Sequence, residues 1–202
     1  MSNAVAANFS EILDAYNRGK ISLHEAESAL RDKYSRPGAV FILDMAEFSL
    51  SVRTSGIVEF MAKIRRMHGI VQKHVGKHFG EIVKFEADNA FLFFSGDEIT
   101  ATHNAVKCAV AIRDHTITGG MISVSIGICH GDVLFASSAG MSMEQDYFGD
   151  AVNVASKLGE DLATGNQILV SGQDISVIPE GLETQQQIFH ISGLELPVIQ
   201  VV

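Results

Sequence analysis

Cysteine is scarce in this chain of 202 residues, with only Cys108 and Cys129. Both lie in apolar surroundings, "VKCAVAI" and "SIGICHG". Thiols so placed read as small buried hydrophobes of a reducing compartment, not as a disulfide or a metal site. Positive charge is also short. The 15 Lys and Arg are outnumbered by 24 Asp and Glu, for a formal net charge of -9 and an isoelectric point near 5.3. No basic block exists beyond "KIRRMHG". A duplex-binding surface is therefore excluded, because affinity for DNA comes mainly from neutralising phosphates. The same acidity implies that a polyphosphate ligand would arrive with a divalent cation. No apolar run reaches the length of a membrane span. The N-terminal stretch lacks the basic start and apolar run of a secretory signal. The expected location is the cytoplasm. There is no internal repeat and no low-complexity segment.

What is present describes a globular protein, with 47% hydrophobic and 19% charged residues. Residues 8–34 read as two short helices. The first, "FSEILDAYNRG", stops at Gly19, and the second, "SLHEAESALRDKY", opens on a Ser22/Glu25 capping box. So small a hairpin cannot bury its own core, and it should pack on the following domain or on a second subunit. Pro37 and Gly38 then break the pattern. "AVFILDM" reads as a buried strand with Asp44 at its C-terminal tip. A helix follows over residues 56–78, with Ile57, Phe60, Met61, Ile64, Met67, Val71 and Val75 at helical spacing. "EIVKF" and "AFLFF" form a hairpin around residues 86–89. "ATHNAVKCAVAIRDH" is a helix, and "ISVSIGICHGDVLF" holds a strand and the start of another.

In "DYFGDAVNVASKLGED", Ala151, Val154, Ala155 and Leu158 line one side of a helix while Asn153 and Lys157 share the other. "QILVSG", "QQIFHISG" and "PVIQVV" complete the chain as strands. This order gives an α+β fold, a ferredoxin-like βαββαβ core with extra C-terminal strands, preceded by a short N-terminal helical hairpin. The expected division is residues 1–37 for the helical extension and 38–202 for the domain.

Asp44 and Asp88 stand out as carboxylates that a βαββαβ sheet could bring to one rim. Two such acids suit magnesium, which takes one or two protein carboxylates plus phosphates and water. Without a ligand they would be plain turn or cap residues. Strand alternation places Ile82 and Lys84 on one face, Val83 and Phe85 on the other. Lys84 is therefore expected to be partly buried and paired. The turn "LDMAEFS" could cradle phosphate with its backbone N–H groups. His74 and His78 have the spacing of metal ligands but no evident third partner, and read as part of a solvated helix face.

Together these segments resemble the class III nucleotidyl cyclase catalytic domain, the adenylate and guanylate cyclase family. "FILDMAEFS" resembles its first metal motif, "VKFEADNAFLFF" its Lys-x-x-Gly-Asp hairpin, and "QDYFGDAVNVASKLGE" its Asn helix, with "VSIGICHGDVL" as the strand before it. The likeness covers residues 39–172. It implies that Asp44, Asp88 and the Met45 carbonyl hold two magnesium or manganese ions, and that the backbone of Ala46, Glu47, Phe48 and Ser49 meets the triphosphate. Lys84 and Asp146 would read the purine, and Asn153 would orient the ribose. Lys157 stands where an arginine usually stabilises the transition state. Family members work as head-to-tail dimers with sites at the interface, so a homodimer that converts ATP to cyclic AMP and pyrophosphate is expected.

The choice of base has its own physical argument. Lysine only donates hydrogen bonds and ionised aspartate only accepts them. Lys84 and Asp146 therefore complement N1 and the amino group of adenine and oppose the reversed pattern of guanine. Several positions depart from the family pattern. Glu47 and Ala87 replace glycines, Lys157 replaces arginine, and Asp132 and Ser192 stand where phosphate-binding cations occur in many members. A weak or regulated enzyme that prefers manganese is expected. The alternatives are an inactive cyclase homology domain acting as a nucleotide-binding regulatory dimer, or a cyclase for another nucleotide. The regulator is not legible.

Overall fold

The computed structural model describes residues 8–46, 56–119, 122–137, 145–191 and 194–202. Helices α1 (Phe9–Asn17) and α2 (Leu23–Tyr34) begin at reciprocal capping boxes, Asn8 with Glu11 and Ser22 with Glu25. Their small interior of Ile12, Ala26 and Leu30 is closed by Phe9, Ile21, Tyr34 and Leu134. Leu134 belongs to the following domain, so the hairpin packs there.

Strand β1 (Ser35–Met45) starts directly after α2 and contains the expected break at Pro37 and Gly38. Gly38 lies between Ser95 and Gly131 of the neighbouring strands. A Cβ there would sit 2.4 Å from the Phe94 carbonyl oxygen and 2.5 Å from the Phe93 ring. The glycine serves close packing and does not end the strand.

Helix α3 (Ile57–Val75) follows and ends in a 3-10 turn, Gly76–His78. Strands β2 (Glu81–Glu86) and β3 (Asn89–Ser95) form the expected hairpin. Helix α4 is Glu98–Gly119. Strand β4 (Val124–Ser137) is one continuous strand, where the sequence suggested a second start. It stays whole because Ser35–Met45 pairs along most of its length. Strand β5 (Gln145–Phe148), helix α5 (Asp150–Ser156), β6 (Ile168–Ser171), β7 (Thr184–Ile191) and β8 (Leu194–Val201) complete the order.

The strands form one sheet in the order β2-β3-β1-β4-β6-β8-β7, with β5 paired to β4. The first four are antiparallel neighbours, which is the ferredoxin-like arrangement. Alternation along each strand divides the core. Ala39, Phe41, Leu43, Leu92, Phe94, Ile126 and Ile128 pack with α3 and α4 on one face. Val40, Ile42, Phe93, Val133, Phe135 and Tyr147 pack with Ala151 and Ala155 of α5 on the other.

Alternation fails in β2. The register slips between Ile82 and Lys84, so Ile82 and Phe85 share the α3/α4 face while Val83 and Phe91 share the α5 face. The expected grouping of Ile82 with Lys84 is therefore wrong, because the extra residue of a bulge resets the two-residue period. His74 also differs from expectation. Its Nε2 lies 2.9 Å from His115 Nδ1 on α4, and His78 Nδ1 meets the His74 carbonyl oxygen at 2.9 Å. His74 thus joins two helices instead of facing solvent. Burial first, then the charges of His115 and Lys73, hold its pKa below the ordinary value.

Candidate active site

The register of β1 sets the rim of the site. Leu43 pairs with Ala90 and Asp44 with Ser125. Asp44 therefore ends its strand beside the turn that joins β2 to β3, and that turn carries Asp88. Ala87, just before it, adopts a left-handed φ of 52° where the family pattern has glycine. Burial first, then the charges of Asp88 and Glu160, push the Asp44 carboxyl up to about 7. Burial also raises Asp88.

Glu160 is a third acid that the sequence reading did not single out. It projects from a π-helical turn, Lys157–Leu162, that continues α5. Its Oε1 accepts a hydrogen bond from Asn89 Nδ2 at 3.3 Å. Burial, then Asp161, Glu86 and Asp88, raise its pKa. In the sequence it is one acid of "GED" after a helix; only packing brings it to Asp44.

That packing depends on two glycines. A Cβ on Gly127 would meet the Ala155 carbonyl oxygen at 2.2 Å and the Gly159 nitrogen at 2.4 Å. One on Gly159 would meet the Ile42 carbonyl oxygen at 2.9 Å. The π turn thus lies directly on β1 and β4, two residues from Asp44.

The donor set fits a hard cation. After burial, the charges of Asp88 and Glu160 raise the Asp44 pKa, and such neighbours favour a positive charge beside it. Among the described residues, no group of three or more His, Cys, Asp or Glu could hold a metal. A cation at Asp44 and Asp88 would take its remaining ligands from water and phosphate, as magnesium does. Met45 is buried beside Asp44. The Ala46 amide, expected to meet phosphate, donates to the Ser123 carbonyl oxygen at 3.0 Å. Glu47, Phe48, Ser49 and Ser192 lie outside the described residues.

Lys84 and Asp146, 62 residues apart, meet as an ion pair. Lys84 Nζ donates to Asp146 Oδ2 at 3.2 Å and also pairs with Glu86 at 3.2 Å. Asp146 is held from behind, its Oδ1 accepting from the Tyr147 amide at 2.8 Å. Burial lowers the Lys84 pKa, and the hydrogen bonds and charges of Asp146 and Glu86 outweigh it, leaving the ammonium above its ordinary value. Lys84 Nζ also sits 4.8 Å from the centre of the Phe91 ring. Phe91 and Tyr147 support this pair, a role unassigned by the sequence reading. Their clue was the aromatic content of "FLFF" and "DYF".

Asn153 and Lys157 are both exposed, while Ala151, Ala155 and Leu158 are buried. Lys157 Nζ pairs with Asp161 Oδ2 at 3.4 Å, both side chains largely exposed. Asp44 is coupled electrostatically to Asp88 and Glu160, while Lys84 is paired with Asp146. Among the described residues, no hydrogen bond or ion pair joins Asp44 or Asp88 to Lys84, Asp146, Asn153 or Lys157.

Solved structures share this fold. The adenylyl cyclase CyaB from P. aeruginosa superposes with a TM-score of 0.73 at 22% identity, over 83% of this chain and 94% of that one. The guanylate cyclase domain of RhGC from Catenaria anguillulae, in complex with GTP, gives 0.73 at 18% identity, over 84% and 96%. A bacterial light-regulated adenylyl cyclase gives 0.67 at 18% identity, over 83% and 90%. No curated protein matches the chain. The family model described as the adenylate and guanylate cyclase catalytic domain matches residues 32–195. The chain therefore belongs to the adenylate and guanylate cyclase family and is a class III nucleotide cyclase domain.

Proposed function

We propose that this domain is an adenylate cyclase that converts ATP to 3′,5′-cyclic AMP and pyrophosphate as a head-to-tail homodimer in the cytoplasm. The observation that carries the choice of base is the pairing of Lys84 with Asp146. Each group is the other's partner in this state, and each would turn to the purine edge when a nucleotide enters. Lys84 would donate to N1 of adenine and Asp146 would accept from its amino group. Guanine presents a donor and an acceptor at the same places, so both contacts would oppose.

Asp44 and Asp88, with the Met45 carbonyl, are the residues to hold two magnesium or manganese ions. Those ions, when bound, would activate the attacking oxygen and neutralise the departing pyrophosphate. The chain's own groups do the rest. Asn153 orients the ribose so that its 3′-oxygen lies in line with the α-phosphorus. Lys157 leaves Asp161 to meet the charge developing on the α-phosphoryl oxygens. Lysine supplies a point charge without the planar fork of arginine. That difference, with the Ala46 amide already committed to Ser123, supports slow basal turnover.

A product-identified assay across ATP, GTP, CTP and UTP, with magnesium and with manganese, tests the reading. Cyclic AMP should be the main product, faster with manganese, and GTP should react at about a hundredth of the ATP rate or less. Asp44→Ala should abolish turnover. GTP consumed as fast as ATP would overturn the base assignment, and an active Asp44→Ala would overturn the metal assignment.

A further inference from the structure

We infer that His68 is a positioning residue for Asp88, acting through the turn between β2 and β3. The inference rests on the metal assignment proposed above. His68 lies on α3, and its ring stacks on Phe85 near the end of β2 with centroids 3.9 Å apart and planes inclined by 26°. The same ring faces the backbone of Ala87, which favours its protonated form against the effect of burial. Its Nε2 is buried with no partner, which leaves Nδ1 as the nitrogen on the Ala87 side. One side chain thus holds both the last apolar residue of β2 and the turn residue directly before Asp88.

The turn needs such a hold. Ala87 sits at φ 52°, where a residue with a Cβ is disfavoured and glycine is not. The family hairpin has glycine there, and a glycine turn adopts this shape without help. Here alanine would relax toward other conformations, and Asp88 would swing with it. An imidazole that stacks on Phe85 and lies against Ala87 opposes that relaxation from the helix side. Its Nε2, buried and meeting no acid, fits a purely mechanical role. His68 touches no ligand itself; it fixes where Asp88 points.

The test measures manganese affinity apart from turnover. The melting point is followed against Mn²⁺ concentration with α,β-methylene-ATP present, a nucleotide that cannot be cyclised. KM for Mn²⁺ and kcat with ATP are read in parallel. His68→Ala and His68→Phe should each weaken Mn²⁺ binding about tenfold, as loss of an outer-shell partner does, while kcat at saturating Mn²⁺ stays near wild type. His68→Asn keeps an N–H at the place of Nδ1 and should recover most of the affinity. Ala87→Gly added to His68→Ala should do the same by removing the strain. Asp88→Asn is the reference. If it weakens Mn²⁺ binding and the two His68 variants do not, this inference is overturned and the metal assignment stands. If Asp88→Asn has no effect, the metal assignment fails and this inference fails with it. A lower melting point for the His68 variants with unchanged Mn²⁺ affinity also overturns it.

Discussion

Asp44 is where the requirements of folding and of the site conflict. Its ordinary carboxyl would ionise near 3.8, but burial and the charges of Asp88 and Glu160 hold the proton to about 7. A folded state that binds a proton more tightly than the unfolded chain loses stability as pH rises through that window. The loss starts near pH 4 and is complete above about pH 7. A divalent cation would remove it by meeting the ionised form. Asp44→Asn should therefore melt higher than wild type at pH 8 without metal and differ little from it at pH 4, because the wild-type acid is then mostly protonated. The variant should also lose the stabilisation that Mn²⁺ gives wild type. Melting curves of both proteins from pH 4 to 8, with and without Mn²⁺, check this. Taking the difference between them cancels titrating groups that do not interact with Asp44.

Among the elements, α5 and its π turn depend closely on tertiary contact. The apolar stripe of Ala151, Ala155 and Leu158 says that a helix packs here, and it does. It does not say how closely. That distance is set by Gly127 of β4 against the Ala155 carbonyl and the Gly159 amide. Gly127→Ala would force the turn outward and carry Asn153, Lys157 and Glu160 with it. It should destabilise the domain by about 1–3 kcal/mol, in the range of overpacked core sites. Gly131→Ala is the comparison, since its Cβ would meet only the Ala151 side chain, at 3.0 Å. Denaturant unfolding should place it well below Gly127→Ala. The capping boxes of α1 and α2 show the opposite case. They are local in sequence, and both form as the residues imply.

For the molecule as a whole, the arrangement of the two residue groups makes a claim about assembly. If the acids of one copy work with Lys84, Asp146, Asn153 and Lys157 of another, neither group completes a site alone. Asp44→Ala and Lys157→Ala proteins should each be nearly inactive. Mixed after subunit exchange, they should recover about a quarter of wild-type activity, since half the dimers would be mixed and each would hold one intact site of two. No recovery would mean that each chain completes its own site.

The sequence by itself determined most of the elements and the order of the sheet's first four strands, though not that β4 runs unbroken or that Gln145–Phe148 pairs with it. Periodicity, capping boxes and turn residues act over a few neighbours, and each is written along the chain. It also placed Asp44 at a strand end and Asp88 in a turn for the same reason. Tertiary structure decided what those residues meet. The β2 bulge turned Ile82 and Phe85 to one face against strict alternation. Lys84 found Asp146 across 62 residues. Glu160 reached Asp44 only because two glycines let a turn rest on the sheet. His68 reached Ala87 only because α3 lies under the hairpin. Such contacts depend on how closely separate elements approach, and no local pattern carries that distance.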